Sequence, residues 1–158
     1  AGLAENTIVL VLSDNGASQE GGPQGFINAM GPYNFRHEPL EEKLARIDDI
    51  GGPDTHSNFP LGWAMASNTP LRRYKQNTHG GGIRDPLVIS WPKGIQAGGQ
   101  LRHQFTHACD LTPTLLDVIG VKPPVEINGV KQMPFEGESF AASFADPHAP
   151  SKPSPQYF

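Results

Sequence analysis

A carboxylate and an amide stand side by side at Asp14 and Asn15, directly after five aliphatic residues at positions 8–12. Both side chains offer hard oxygen donors, which are the ligands that Ca²⁺ and Mg²⁺ prefer. Gly16 follows and permits a sharp turn. The same residues are also typical of an ordinary turn, because Asp and Asn bond their own backbone and Gly adopts positive φ. The sequence therefore predicts either a divalent-cation site or a simple turn here.

A second group of residues has the chemistry of an anion site. The basic run Arg72-Arg73-Tyr74-Lys75 is followed by three glycines at positions 80–82. A lysine supplies a point charge, and glycines let backbone N–H groups approach an oxyanion. A solvated basic surface beside a flexible loop is the alternative, since charge runs often form solvated faces. His79 lies between the two segments, and we interpret it as a supporting or surface histidine.

A predicted strand over residues 7–13 positions the first cluster. A short unbroken aliphatic run is typical of a strand buried on both faces of a parallel sheet. Ligands of open α/β sheets bind beyond the carboxyl ends of such strands, which is where Asp14 and Asn15 stand. A second short strand is predicted at residues 87–91.

Helices are predicted at three places. Residues 39–50 begin with a proline and two glutamates and carry an apolar stripe. Residues 111–119 have Thr112 as the predicted cap and Gly120 after the end. Residues 138–145 place two phenylalanines one helical turn apart.

Composition limits the classes of function. Lys plus Arg number 12 and Asp plus Glu number 16, so the formal net charge of −4 gives no electrostatic case for nucleic acid or an anionic membrane surface. No apolar stretch approaches the roughly 18 residues of a membrane span. The single cysteine, Cys109, excludes an internal disulfide framework and a cysteine-rich zinc site. The 18 Gly and 16 Pro residues predict long ordered loops, among them residues 19–32. Residues 54–78 show no clean helix or strand period.

The order of these segments resembles the sulfatase family, and within it the arylsulfatases of the alkaline-phosphatase-like superfamily. The segments that match are Ser-Asp-Asn-Gly at 13–16, Asn-Thr-Pro at 68–70, Tyr74-Lys75, Gly-Gly-Ile-Arg-Asp-Pro at 81–86, Trp-Pro at 91–92 and Asp-Leu-Thr-Pro-Thr-Leu-Leu at 110–116. Residues 1–120 match well and residues 121–158 weakly. We therefore interpret residues 1–158 as a portion of one sulfatase catalytic domain.

The resemblance implies a partial alkaline-phosphatase-like α/β fold with a parallel-sheet core and long Gly- and Pro-rich loops, incomplete in this chain. It implies that Asp14 and Asn15 bind the active-site cation, usually Ca²⁺, with Mg²⁺ as the other candidate. It also implies that Lys75 contacts a sulfate oxygen and stabilises the charge that builds as the S–O bond breaks. The implied reaction is hydrolysis of a small-molecule sulfate monoester by the intact parent protein.

Two departures from the family pattern bear on activity. The sulfatase nucleophile is a formylglycine made from Cys/Ser-x-Pro/Ala-x-Arg, and this signature is absent from the sequence: Cys109 precedes Asp-Leu-Thr-Pro, and Ser151 begins Ser-Lys-Pro-Ser-Pro. Gly80 stands where the family commonly has Glu. We expect a missing N-terminal half of the parent to supply the nucleophile and the remaining metal ligands. We expect the chain alone to be inactive and to bind calcium weakly, since two ligands leave most of the coordination sphere to water.

Other functions are open at this level. A phosphodiesterase or phosphonate monoester hydrolase of the same superfamily would use similar metal and anion ligands. A non-catalytic truncated module would account for the absent nucleophile as decay. An independently stable anion-binding domain would unfold cooperatively on its own, whereas a lone long strand without sheet neighbours predicts partial order and poor solubility.

Overall fold

The computed structural model describes residues 2–151, and these form short elements joined by long loops. The helices are α1 (Met30–Tyr33), α2 (Leu40–Ala45), α3 (Leu61–Ser67), α4 (Gly80–Ile83), α5 (Leu111–Val118) and α6 (Ala142–Ala145). The strands are β1 (Val9–Leu12), β2 (Leu87–Ser90), β3 (Glu126–Ile127) and β4 (Val130–Lys131). Single 3₁₀ turns lie at Ala4–Asn6, Ile47–Asp49 and Ala108–Asp110.

The described residues divide into two compact units, one of residues 11–88 and one of residues 2–10 with 89–151. In the first unit the buried apolar side chains are Ile27, Ala29 and Ala64, and in the second they are Phe144 and Ala149. None of the helices within residues 2–151 has the length and apolar character that crossing a membrane requires.

The first strand is shorter and more exposed than the sequence predicts. β1 pairs with β2 in a two-stranded sheet, and its side chains Val9, Val11 and Leu12 are 51%, 62% and 45% exposed. The prediction of a strand buried on both faces is therefore wrong for this chain. Within residues 2–151 both sheets have two strands, so the expected parallel-sheet core does not form. A buried parallel strand needs neighbours on both edges and cover on both faces, and one partner strand supplies neither.

The prediction of a helix over residues 39–50 is only partly right. α2 ends at Ala45, because Arg46 leaves helical geometry at φ −118° and ψ 13°. The 3₁₀ turn that follows contains Asp48 and Asp49, whose charges oppose the carboxyl end of a helix dipole. α3 lies within residues 54–78, where no regular element was predicted.

The longest helix matches its prediction in range but not in its cap. The 3₁₀ turn leads directly into α5, and Asp110 organises this junction: its carboxylate accepts hydrogen bonds from the backbone N–H of His107 at 2.7 Å and of Glu138 at 3.0 Å. The residue before the first helical residue is Asp110, so the predicted Thr112 cap is wrong. Gly120 follows the helix at φ 71°, as expected of a residue just past a helix end.

Beyond α5 the chain forms a small hairpin and a short helix. β3 and β4 pair antiparallel across Asn128 and Gly129, which both adopt positive φ. α6 is shorter than the predicted helix over residues 138–145. Phe144 on α6 makes edge-to-face contacts with Trp91 at 6.5 Å and with Phe140 at 6.0 Å between ring centroids.

The loop predicted over residues 19–32 ends in a helix, since residues 30–32 belong to α1. Residues 19–29, which we call the glycine loop, are fastened to the rest of the unit by main-chain hydrogen bonds. The four bonds join Gly21 N to Phe59 O (3.0 Å), Leu61 N to Gly22 O (2.9 Å), His56 N to Ile27 O (3.1 Å) and Ala29 N to His56 O (2.9 Å). Lys43 Nζ adds contacts to the carbonyl oxygens of Gln24 and Gly25 at 3.2 and 3.4 Å. The loop between these anchors is therefore ordered although it has no regular structure.

Candidate active site

The turn after β1 combines ordinary turn chemistry with exposed oxygen donors. Ser13 Oγ donates to the carbonyl of Asn15 at 2.6 Å, and Asn15 Nδ2 donates to the carbonyl of Gly16 at 3.1 Å. Because the amide nitrogen of Asn15 is engaged, its Oδ1 is the side-chain atom suited to a cation. Asp14 is exposed and Asn15 is half-buried. The turn and cation interpretations are thus compatible, since these two hydrogen bonds use neither the Asp14 carboxylate nor Asn15 Oδ1.

Asn68 ties this turn to the basic run. Its Oδ1 accepts from the backbone N–H of Ala17 at 3.2 Å. Its Nδ2 donates to the carbonyl of Arg73 at 3.0 Å and to that of Gly81 at 2.8 Å. One half-buried amide therefore joins Arg73 and Gly81 to Ala17, which lies 51 residues before Asn68 in the sequence. The sequence indicated this asparagine only as part of a motif, because its partners are backbone atoms that no sequence pattern identifies.

Glycines bring two of these segments into direct backbone contact. Gly16 N donates to the carbonyl of Gly82 at 3.4 Å, and Gly81 N donates to the carbonyl of Arg72 at 2.8 Å. A Cβ on Gly16 would overlap the carbonyl of Gly81, and a Cβ on Gly81 would overlap the carbonyl of Arg73. The three glycines at 80–82, predicted as an anion-approaching loop, thus form the start of α4 and pack against the turn after β1.

Lys75 lies beside the same turn through its backbone. Its N–H donates to the carbonyl of Ala17 at 3.1 Å, two residues after Asn15. Its ammonium group forms an ion pair with Glu20, with Nζ and Oε1 3.1 Å apart. The Ser18 hydroxyl and the Lys75 ammonium hold the pKa of Glu20 below its ordinary value. Sequence reasoning missed Glu20, since a glutamate in a glycine-rich loop gives no signal of its partner.

Asp85 is a further acidic group that sequence reasoning missed. Burial raises the pKa of its carboxyl group, and the charge of Asp14 adds to this shift. The sequence indicated Asp85 only as part of the Gly-Gly-Ile-Arg-Asp-Pro motif at 81–86 and gave it no role.

The donors in this region have the chemistry of a hard-cation site but do not complete one. Asp14 and Asn15 supply a carboxylate and an amide oxygen, which fit Ca²⁺ or Mg²⁺. Within residues 2–151, no three His, Cys, Asp or Glu side chains are grouped so that they could hold a metal ion. His79 is exposed, in keeping with a surface histidine.

The position of Gly80 bears on its departure from the family pattern. A Cβ on Gly80 would stand 3.3 Å from the side chain of Leu71, so a glutamate here would press on Leu71.

The two segments compared with the nucleophile signature lie elsewhere. Cys109 lies in the 3₁₀ turn before α5. The other, at residues 151–155, falls mostly outside the described residues.

Comparison with known proteins decides the family. Residues 1–121 match the family model for sulfatases. The chain belongs to the sulfatase family. This sulfatase chain is 29% identical to an arylsulfatase of Klebsiella aerogenes over 142 residues, which are 89% of the chain and 29% of that protein. It is 39% identical to human N-acetylgalactosamine-6-sulfatase over 134 residues and 30% identical to the mouse enzyme over 135; each alignment covers 84% of the chain and 18% of the relative.

Membership of the sulfatase family confirms the resemblance inferred from the ordered motifs and implies an alkaline-phosphatase-like α/β fold. The chain spans less than a third of the length of these relatives. The roles of Asp14, Asn15 and Lys75 stay predictions.

Proposed function

We propose that this chain provides the cation-binding turn and the sulfate-binding lysine of an enzyme that hydrolyses sulfate monoesters. The proposal rests on one observation above all: the backbone hydrogen bond from Lys75 to Ala17 holds the basic run against the turn that carries Asp14 and Asn15. Asn68 reinforces this arrangement with bonds to both segments. Carboxylate, amide and ammonium groups from distant parts of the sequence thus belong to one compact unit.

The residues of this site have distinct parts in the chemistry. Lys75 would donate a charge-assisted hydrogen bond to a nonbridging sulfate oxygen and stabilise the negative charge that grows as the S–O bond breaks. Asp14 and Asn15 would hold a divalent cation, Ca²⁺ or Mg²⁺, which when bound supplies additional positive charge at the sulfate group. The backbone hydrogen bond from Lys75 to the carbonyl of Ala17 joins the basic run to the segment that follows these donors.

The nucleophile, a formylglycine, and the remaining metal ligands would come from a part of the parent protein outside this sequence, as would much of the parallel-sheet core. Residues 1–158 alone are therefore expected to hydrolyse nothing. The relatives are named arylsulfatase and N-acetylgalactosamine-6-sulfatase, and these names support sulfate over phosphate esters as the substrate class.

The decisive experiment is Lys75→Ala in the full-length protein that contains this chain, assayed on an aryl sulfate. Removal of one donor to a developing oxyanion lowers kcat by about 100- to 1,000-fold, and we expect a loss in that range. Lys93→Ala is the control, because Lys93 is an exposed lysine that belongs to the other unit. A Lys75→Ala enzyme with near-normal turnover would remove Lys75 from the site.

Calcium binding provides a separate test of the turn. In the full-length protein, Asp14→Asn should weaken calcium binding measured by calorimetry, because it replaces a charged ligand by a neutral one. Asp48→Asn, which changes an exposed acidic residue in a 3₁₀ turn of the same unit, should leave calcium affinity unchanged. Equal affinity of wild type and Asp14→Asn would exclude Asp14 as a ligand.

A further inference from the structure

The ammonium group of Lys75 already has an anionic partner within the chain. Glu20 Oε1 lies 3.1 Å from Lys75 Nζ, and the two side chains are 34% and 31% exposed. The other carboxylate oxygen of Glu20 accepts from Ser18 Oγ at 2.9 Å, and Glu20 N donates to that same hydroxyl oxygen at 3.2 Å. Ser18 therefore orients the carboxylate toward the lysine.

We propose that Glu20 competes with the substrate for Lys75: its carboxylate forms an ion pair with the ammonium of Lys75 until a sulfate group displaces it. The inference rests on the proposed function of Lys75. A carboxylate oxygen and a sulfate oxygen make the same kind of charge-assisted bond to an ammonium group. A sulfate that binds beside an undisplaced Glu20 would meet a like charge, so either the ion pair opens or sulfate binding is weakened.

Contacts of the residues on either side of Glu20 hold this part of the loop in place. Gln19 Nε2 donates to Gln76 Oε1 at 3.3 Å, next to Lys75. Gly21 N donates to the carbonyl of Phe59 at 3.0 Å. These contacts lie on either side of Glu20 and do not depend on the rotamer of its side chain.

The side chain of Glu20 also has space into which it can move. Glu20 borders an open cavity of about 310 Å³ formed by the glycine loop, together with Gly22, Gln24 and Phe26. Rotation into this space breaks the ion pair without breaking the main-chain anchors. Displacement of the carboxylate therefore needs a rotamer change rather than a loop opening.

The consequence for the enzyme is a lower affinity for sulfate groups than Lys75 alone would give. Both the substrate ester and the inorganic sulfate product are affected, because each must displace the same carboxylate. Glu20 thereby favours release of sulfate after the reaction. This makes Glu20 a residue that acts through Lys75 and not on the reacting atoms.

The test is Glu20→Gln in the full-length protein, with inorganic sulfate as the probe in calorimetry and as a competitive inhibitor of aryl sulfate turnover. Exposed ion pairs of this kind shift an equilibrium by roughly 1.5- to 5-fold. We expect sulfate to bind tighter by that factor and KM to fall with it, while kcat does not rise. Ser18→Ala, which removes the orienting hydroxyl, should shift sulfate affinity in the same direction by a smaller factor.

Glu42→Gln is the matched control. It removes the exposed Arg36–Glu42 ion pair of 2.8 Å in the same unit and should leave sulfate affinity unchanged. Sulfate affinity that is unchanged or weaker in Glu20→Gln overturns the inference, and a weaker affinity would show instead that Glu20 helps Lys75 to bind. Lys75→Ala separates the two proposals: if it weakens sulfate binding while Glu20→Gln has no effect, only the inference about Glu20 fails. If Lys75→Ala leaves sulfate binding intact, the proposed function itself fails.

Discussion

Replacement of Asn68 by alanine removes the amide that joins the cation turn to the basic run. Three hydrogen bonds are lost, to Ala17, Arg73 and Gly81. A hydrogen bond contributes about 0.5–1.5 kcal/mol net, so three amount to about 1.5–4.5 kcal/mol. Because Asn68 is only half-buried, water replaces part of this, and we expect a loss near the lower end, about 2 kcal/mol.

The effect on catalysis should exceed the effect on stability. The bonds of Asn68 fix Lys75 relative to Asp14 and Asn15, and a misplacement of about 1 Å between catalytic groups costs on the order of 100-fold in rate. We therefore expect kcat/KM on an aryl sulfate to fall about 100-fold in Asn68→Ala. The assay combines this rate with thermal unfolding of the same full-length protein, so that misfolding is recognised.

Two further variants isolate the cause. Asn68→Asp has nearly the same volume but cannot donate to the two carbonyls, so it should be at least as defective as Asn68→Ala. Asn34→Ala removes an exposed amide that donates to Met30 O at 2.7 Å and should be close to wild type. The reasoning is refuted if Asn68→Asp behaves as wild type, since the packing volume of Asn68 rather than its donors would then matter.

Two other predictions concern backbone clearance and a buried hydroxyl. Gly16→Ala should lower kcat/KM about 100-fold, since its Cβ overlaps the carbonyl of Gly81 and forces the two segments apart. Gly62→Ala, in a helix with open space around it, should retain full activity. Equal rates for the two variants would contradict the steric argument. Thr114→Val should destabilise the full-length protein by about 1–3 kcal/mol in urea unfolding, because the buried Thr114 hydroxyl accepts from a backbone N–H at 3.1 Å. Thr112→Val, at an exposed position of the same helix, should cost little, and an equal cost at both positions would remove the buried hydrogen bond as the cause.

The sequence was informative where chemistry is local. The predicted range of α5 is nearly right, and Gly120 follows its end as expected. The aliphatic run before Asp14 locates β1 to within three residues. The hairpin between β3 and β4 was missed although Asn128-Gly129 between apolar residues is a strong hairpin signal; a search for turn residues would have found it.

Other features depend on partners that are distant in sequence. The burial of β1 was predicted from its aliphatic composition, but burial is decided by what covers a strand, and composition does not reveal that. The ion pair between Glu20 and Lys75 spans 55 residues, and Asn68 bonds to backbone atoms that every residue possesses. Residue types alone therefore suggested which groups bind ligands and gave no account of what holds them in place.

The fastening of the glycine loop by main-chain atoms has a practical consequence for engineering. Main-chain hydrogen bonds at Gly22 and Ile27 anchor the two ends of residues 23–26. These bonds do not depend on which side chains stand at positions 23–26. Lys43 likewise contacts only carbonyl oxygens there. Within that tip only Gly25, at φ 66°, keeps a conformational requirement for its residue type. Residues 23–26 can thus be replaced by a library of other sequences. Such replacements alter the wall of the adjoining cavity while the anchoring residues stay unchanged.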